Sequence, residues 1–275
     1  MKNHTLKWAC ALVLAVASTG QGAHAQIAPA DSKSEDVHIA LLAVGDRPEI
    51  TLTTTVEKGS TYDKPPESEL PPGQLFVKEK NAFKAFPLEL NTPMEAVKHP
   101  GGTELRLFSS ESEAGDPDPK KEPYAKIPLP QEKTSLTVFL LRNPTTKSWK
   151  TKPQAFPFKN DPQSFPSNTT RVINFSTAPI RVKLGEIDFY LIPQTSRIVP
   201  YPTASNGVFE YKVIARIDGQ IIPVADFSQS YYTETRMNMV FYDADGKVPK
   251  QPVEHIIYME IPQQAAPAPG EAAPR

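Results

Sequence analysis

Thirty prolines are spread along this chain of 275 residues, about twice the share found in ordinary globular proteins. Each proline removes a backbone N–H and clashes inside a helix. A chain punctuated in this way reads as short strands joined by fixed turns rather than as helices. The rest of the sequence is read within that limit.

The N-terminus is the exception to it. Lys2 and Lys7 precede an apolar run from Trp8 to Ala17, and a small-residue stretch ends in Ala23-His24-Ala25. This is the order of a secretory signal peptide with a cleavage site before Gln26. The apolar run is shorter than the roughly 20 residues a membrane-spanning helix requires. Cys10 sits at the start of that run behind Lys7-Trp8-Ala9, the wrong surroundings for lipidation. Cleavage removes Cys10, the only cysteine, so the expected product has no disulfide, thiol nucleophile or cysteine metal site. The formal charge of −1 becomes −3 once Lys2 and Lys7 are lost. So small a balance argues against nucleic acid or an anionic membrane surface as partner. The expected location is periplasmic or extracellular, with no membrane span in the mature chain.

Beyond a small polar leader at 26–36, strand signals follow one another. Val37 to Val44 is a continuous apolar run whose periodicity does not separate strand from helix. Ile50 to Val56 is threonine-rich and β-prone. Gly59 to Gly73 reads as a loop, Glu111 to Pro123 as an exposed mobile loop, and Lys147 to Gln163 as a non-regular connection. Further strands are expected at 74–79, 86–91, 104–109 and 136–141. In the second half they are expected at 171–175, 180–184, 187–192, 196–201, 209–216, 220–226, 236–242 and 253–261. Asp218-Gly219 between two runs is a hairpin turn signal. The resulting expectation is an all-β protein of two Ig-like β-sandwich domains, 37–146 and 165–262, joined by 147–164. Residues 263–275 have the composition of a disordered Ala/Pro tail.

The halves match each other weakly. Pro72 leading into Leu75-Phe76-Val77 parallels Pro166 leading into Arg171-Val172-Ile173, and Leu136–Leu140 parallels Met237–Tyr242 with Val138 beside Val240. Any two sandwich halves share alternating apolar residues, so a diverged tandem repeat stays open here. The run Arg171-Val172-Ile173-Asn174-Phe175-Ser176-Thr177-Ala178-Pro179-Ile180-Arg181-Val182 resembles the opening strands of uncharacterised exported β-sandwich proteins of Gram-negative bacteria. Phe139-Leu140-Leu141-Arg142-Asn143 before Phe165-Pro166 resembles the same proteins, and the likeness spans about residues 70–245. It implies a fold and a compartment and brings no catalytic residue.

No catalytic, cofactor or metal constellation stands out in this sequence. His38, His99 and His255 lack zinc spacing. Ser176 lies in a turn with no nucleophile elbow, and its hydroxyl is expected to cap that turn. Asp243, Asp245 and Glu254 have a calcium-loop flavour, but Val248 stands where such a loop needs glycine. Glu186, Asp188 and Glu210 are solvent-facing strand positions as readily as a hydrolytic pair. Tyr201, Tyr211, Tyr231, Tyr232, Tyr242 and Trp149 divide between core and surface unless they gather into a sugar-stacking patch. Asn168-Thr169-Thr170 fits a glycosylation pattern but reads as the start of a strand. The functional expectation is a non-enzymatic envelope-associated module that recruits a protein partner through its edge strands. A polysaccharide- or surface-ligand-binding module is the alternative, and a hydrolase with a site between the domains the third reading.

Overall fold

The computed structural model describes residues 36–262 apart from 51, 56–58, 81, 117, 119–120, 133, 203–206 and 247–248, and no side chains within 51–61. The segments expected as signal peptide (1–25), leader (26–35) and tail (263–275), and Val248, therefore lie outside the described residues. The first half runs β1 (Val37–Val44), β2 (Leu52–Thr55), β3 (Gly59–Tyr62), β4 (Gln74–Glu79), β5 (Ala82–Pro87), β6 (Val97–His99), β7 (Glu104–Leu107), the one-turn helix α1 (Glu111–Gly115), β8 (Ala125–Pro128), β9 (Leu136–Leu141) and β10 (Gln154–Lys159). The second runs β11 (Thr169–Asn174), β12 (Ile180–Leu184), β13 (Ile187–Leu191), β14 (Thr195–Pro200), β15 (Val208–Ile217), β16 (Gln220–Ser230), β17 (Arg236–Asp243) and β18 (Val253–Glu260). The protein is all-β, as its prolines demand.

The two halves repeat one topology. In the first, a sheet ordered β10-β9-β1-β6 has a parallel pair, β1 with β9, at its centre. In the second, the order β14-β11-β17-β18 has the parallel pair β11 with β17. Over these lie β13-β12-β15-β16 in the second half and, in the first, the hairpins β4–β5 and β7–β8, joined where Phe76 and Phe108 exchange backbone bonds at 2.8 Å. Chain order is the same in both, with the β2–β3 hairpin and α1 as additions to the first. The ladders begin at Ile39↔Leu136 and Thr170↔Met237, which makes Phe139 the counterpart of Val240 and Val138 the counterpart of Met239. The sequence match of Val138 to Val240 is therefore one residue out, and one residue reverses the face of a strand. Likewise β4 corresponds to β12, so pairing Leu75–Val77 with β11 matches the wrong strands.

Face assignment explains the continuous apolar runs. Ile39, Leu41 and Ala43 of β1 and Val138 and Leu140 of β9 point into the core of the first half with Leu75, Phe86 and Leu107. Val172, Met237, Met239 and Phe241 point into the core of the second with Val182, Phe189 and Val213. The opposite faces meet each other. Leu42, Val44 and Phe139 pack with Ile173, Phe175, Val240 and Tyr242 in a third cluster drawn from both halves. Phe139 and Phe158 lie edge-on at 5.4 Å, and Phe156 and Phe175 lie 4.6 Å apart. The described strands thus stack in four layers, and the two inner sheets are buried on both faces. A parallel pair covered on both sides reads as a run of Val, Ile and Leu without alternation.

Four segments differ from expectation. The strand expected at 86–91 is instead β5, set by its hairpin pairing with β4, and Glu89 and Leu90 form only isolated bridges. The connection at 147–164 contains β10, paired along its length with β9 and including Pro157; an edge strand is the sheet position that accepts proline. The loop expected from Gly59 contains β3, the partner of β2. The segment 111–123 holds α1, capped by Ser110, whose Oγ accepts from Glu113 N–H at 3.2 Å. β6 and β8 are three and four residues long, too short to show a period.

Candidate binding cleft

Where β1, β9 and β17 end, the two halves grip each other. Asp46 N–H donates to Asp245 Oδ1 at 2.8 Å, and Gly246 N–H donates to Asp46 Oδ2 at 2.7 Å. Each Asp thus takes a backbone donor from the other half. Gly246 is required by this approach, since a Cβ there would lie 2.8 Å from Asp46 Oδ2. Arg142, 4% exposed, sits 3.0 Å from Asp245, 16% exposed, and donates to Asp46 O. Burial raises the Asp245 carboxyl, while its bond from Asp46 and the charge of Arg142 pull it back. Asn91 completes the corner by bonding both N–H and C=O of Gly45.

A second grip holds the other end of the stack. Arg171 lies 3.9 Å over the Phe165 ring and donates to Lys159 O. Arg236 donates to Phe165 O and Asn160 O, and Glu260 bonds Asn160 and Asn238. Buried charges held this way leave little freedom to the segment that crosses between halves.

Beside the first grip lies a cleft of about 1100 Å³. Its lining includes Asp46, Arg142, Tyr242 and Asp245, the Lys64-Pro65-Pro66 stretch, and Glu254, His255, Ile256 and Ile257. The last four are consecutive residues of β18, the outermost strand of its sheet. Consecutive residues point to alternate faces. The wall they form is therefore the strand's backbone edge. Exposed Arg47, Lys64, Lys147 and Lys250 ring the opening.

Of the residues singled out from sequence, Tyr242, Asp245, Glu254 and His255 come together in the lining of this cleft, and the others lie elsewhere. His38, His99 and His255 stand on β1, β6 and β18, and among the described residues no three of His, Cys, Asp and Glu gather as metal ligands. His255 stacks on Phe241 at 5.7 Å, and burial lowers its pKa. Burial also lowers His99, against the pull of Glu79, and its Nδ1 accepts from Gly101 N–H. Ser176 is fully buried and donates to Asn174 Oδ1 at 2.6 Å; Asn174 in turn donates to Ala178 O and takes Ser176 N–H. The polar residues of the Arg171–Val182 run thus close the turn between β11 and β12. Asp243 bonds Thr177 N–H and hydroxyl while Asp245 belongs to the grip, so the two carboxylates diverge.

Asp188 is tied to Arg181 in a two-point bridge at 2.9 and 2.6 Å. Glu186 and Glu210 line a smaller cleft of about 460 Å³ with Tyr201, Lys183 and Lys212. Tyr211, Tyr242 and Trp149 are core residues, and Tyr232 is exposed. Tyr201 and Tyr231 contact each other at 4.8 Å. Asn168, rather than standing free as a glycan acceptor, takes Glu234 N–H on its side chain. What sequence reading missed was the larger cleft itself. Gly45-Asp46 and Asp245-Gly246 form its floor, and nothing in the sequence joins the two.

These features define a tandem β-sandwich with a cleft between its halves and, along it, a strand edge that is unpaired among the described residues. No family model matches the sequence, and no curated protein is similar to it.

Proposed function

We propose that this protein is an exported, non-enzymatic module of the cell envelope that captures an extended polypeptide segment along the free edge of β18. The observation that carries the reading is the character of its edge strands. An unprotected edge is a template for a further strand, and proteins blunt edges with proline, charge or shortness. β10 carries Pro157 and Lys159, β16 Pro223, β14 Arg197 and Pro200, β5 Lys84 and Pro87, and β8 Lys126 and Pro128. β6 has three residues, and β13 has five including Asp188. β18 runs for eight residues, Val-Glu-His-Ile-Ile-Tyr-Met-Glu; it has no proline, and between Glu254 and Glu260 the stretch His255–Met259 carries no carboxylate, lysine or arginine. It is also the edge that lines the large cleft. Strand addition draws affinity from main-chain hydrogen bonds and selectivity from the alternate side chains.

The test is binding of extended peptides to the purified protein, each compared with a copy N-methylated at alternate residues. Methylation removes the donors a new strand needs, so one of the two alternating methylation patterns must abolish binding. Peptides that bind equally well in both methylated forms would refute strand addition. Export is tested by fractionation and intact mass, with a product beginning at Gln26 expected outside the cytoplasm.

A second reading, a surface-polysaccharide module, is favoured by the smaller cleft, where Tyr201 stands with Glu186 and Glu210. Glycan-array binding that is lost in Tyr201→Ala would support it.

A further inference from the structure

We infer that the segment taken up along β18 is acidic. This rests on the strand-addition reading and adds the chemistry of the occupant. The described carboxylates of the cleft are largely committed. Asp46 holds Gly246 N–H, Asp245 holds Arg142 and Asp46 N–H, and Glu254 takes Gln251 Nε2 at 3.3 Å. Asp63 and Glu69 have interactions of their own.

The cations are not committed in this way. Arg142 is consumed at the floor, but Arg47, Lys64, Lys147 and Lys250 are exposed and make no ion pair with a described carboxylate. Against these four, Glu49 and Asp63 are the exposed carboxylates of the lining. The cations come from four separate places in the chain: the exit of β1, the loop after β3, the loop after β9 and the turn before β18. The fold therefore gathers them around one opening.

Among the exposed side chains of the mouth, cations therefore outnumber carboxylates four to two, although the whole chain is slightly acidic and the full lining holds six carboxylates against five cations. Complementary potential selects partners and steers their approach. Carboxylates flanking or alternating with apolar residues match both the rim and the Ile256–Tyr258 stretch of β18. A basic segment would meet like charge from Arg47, Lys64, Lys147 and Lys250 at the mouth.

The experiment uses two peptides about as long as β18, alternating valine with glutamate and valine with lysine, each with its N-methylated control. Titration at low salt should show the glutamate peptide binding about tenfold more tightly, as expected for several exposed ionic contacts of modest individual strength. The preference should shrink at high salt. The double variant Lys147→Glu with Lys250→Glu changes exposed side chains and should keep its circular dichroism spectrum while reversing the preference. Equal binding of the two peptides, with both sensitive to N-methylation, would overturn the acidic preference and leave strand addition standing. Insensitivity to N-methylation would remove both. A concentration-dependent dimer that the glutamate peptide does not dissociate would give the edge to a second copy of this chain and overturn the inference.

Discussion

Ile173→Ala tests whether the two halves share their stability. Ile173 is 1% exposed and sits on β11 in the cluster drawn from both halves, beside Val240 in the parallel ladder. Truncation removes buried methyl groups and leaves a void between two sheets held in place at both ends. Such a site relaxes poorly, so the loss belongs in the range of about 2–5 kcal/mol for Ile→Ala. Against a total of about 5–15 kcal/mol, and with a urea slope of about 3 kcal/mol per molar, the midpoint should fall by about 1 M. The probe is Trp149, which is 1% exposed in the core of the first half, whereas Ile173 belongs to the second. If the inner sheets unfold together, Trp149 fluorescence and circular dichroism should give one transition, displaced equally. A Trp149 transition unmoved by Ile173→Ala, with a separate displaced transition by circular dichroism, would refute the four-layer reasoning.

Arg142→Ala should cost about 3–5 kcal/mol by stranding Asp245 without its counter-ion, measured by the same denaturation; removing both charges as Arg142→Met with Asp245→Leu should recover part of the loss. Asn174→Ala should cost about 1–3 kcal/mol for each buried backbone group left unpaired in the β11–β12 turn, while Thr177→Ala, exposed in the same turn, should cost less. His99 and His255 are held below the ordinary histidine value chiefly by burial, so the unfolded chain takes up protons first on acidification. Stability should be full above about pH 6.5 and fall as the pH drops from there through the lowered folded values. A flat profile between about pH 7.5 and 5.5 would contradict that burial.

Strand content was legible wherever only one face of a strand is covered. Ile180-Arg181-Val182-Lys183-Leu184 alternates buried and exposed in the structure as its sequence suggests. Asp218-Gly219 forms the expected hairpin, with positive φ at both residues, 50° and 80°. Reading failed where local pattern and environment part company. β10 looked irregular because Pro157 interrupts it, and its edge position, which tolerates that, is a property of the sheet. Val37–Val44 was ambiguous because a second sheet covers the face that would otherwise be polar. The cleft was not legible, since its parts lie about 200 residues apart in the chain, as the bond from Gly246 to Asp46 shows.

Composition and local pattern therefore determined that this chain is all-β, that it turns at Asp218-Gly219, and that Ser176 serves a turn. Those outcomes depend on near neighbours, whose geometry the backbone fixes. Tertiary structure alone decided that the two halves meet face to face, that Asp46 and Asp245 each hold a backbone N–H of the other half, and that β18 stands at the edge of its sheet. Pairing and burial across such distances depend on which surfaces dock, and no window of sequence contains both partners.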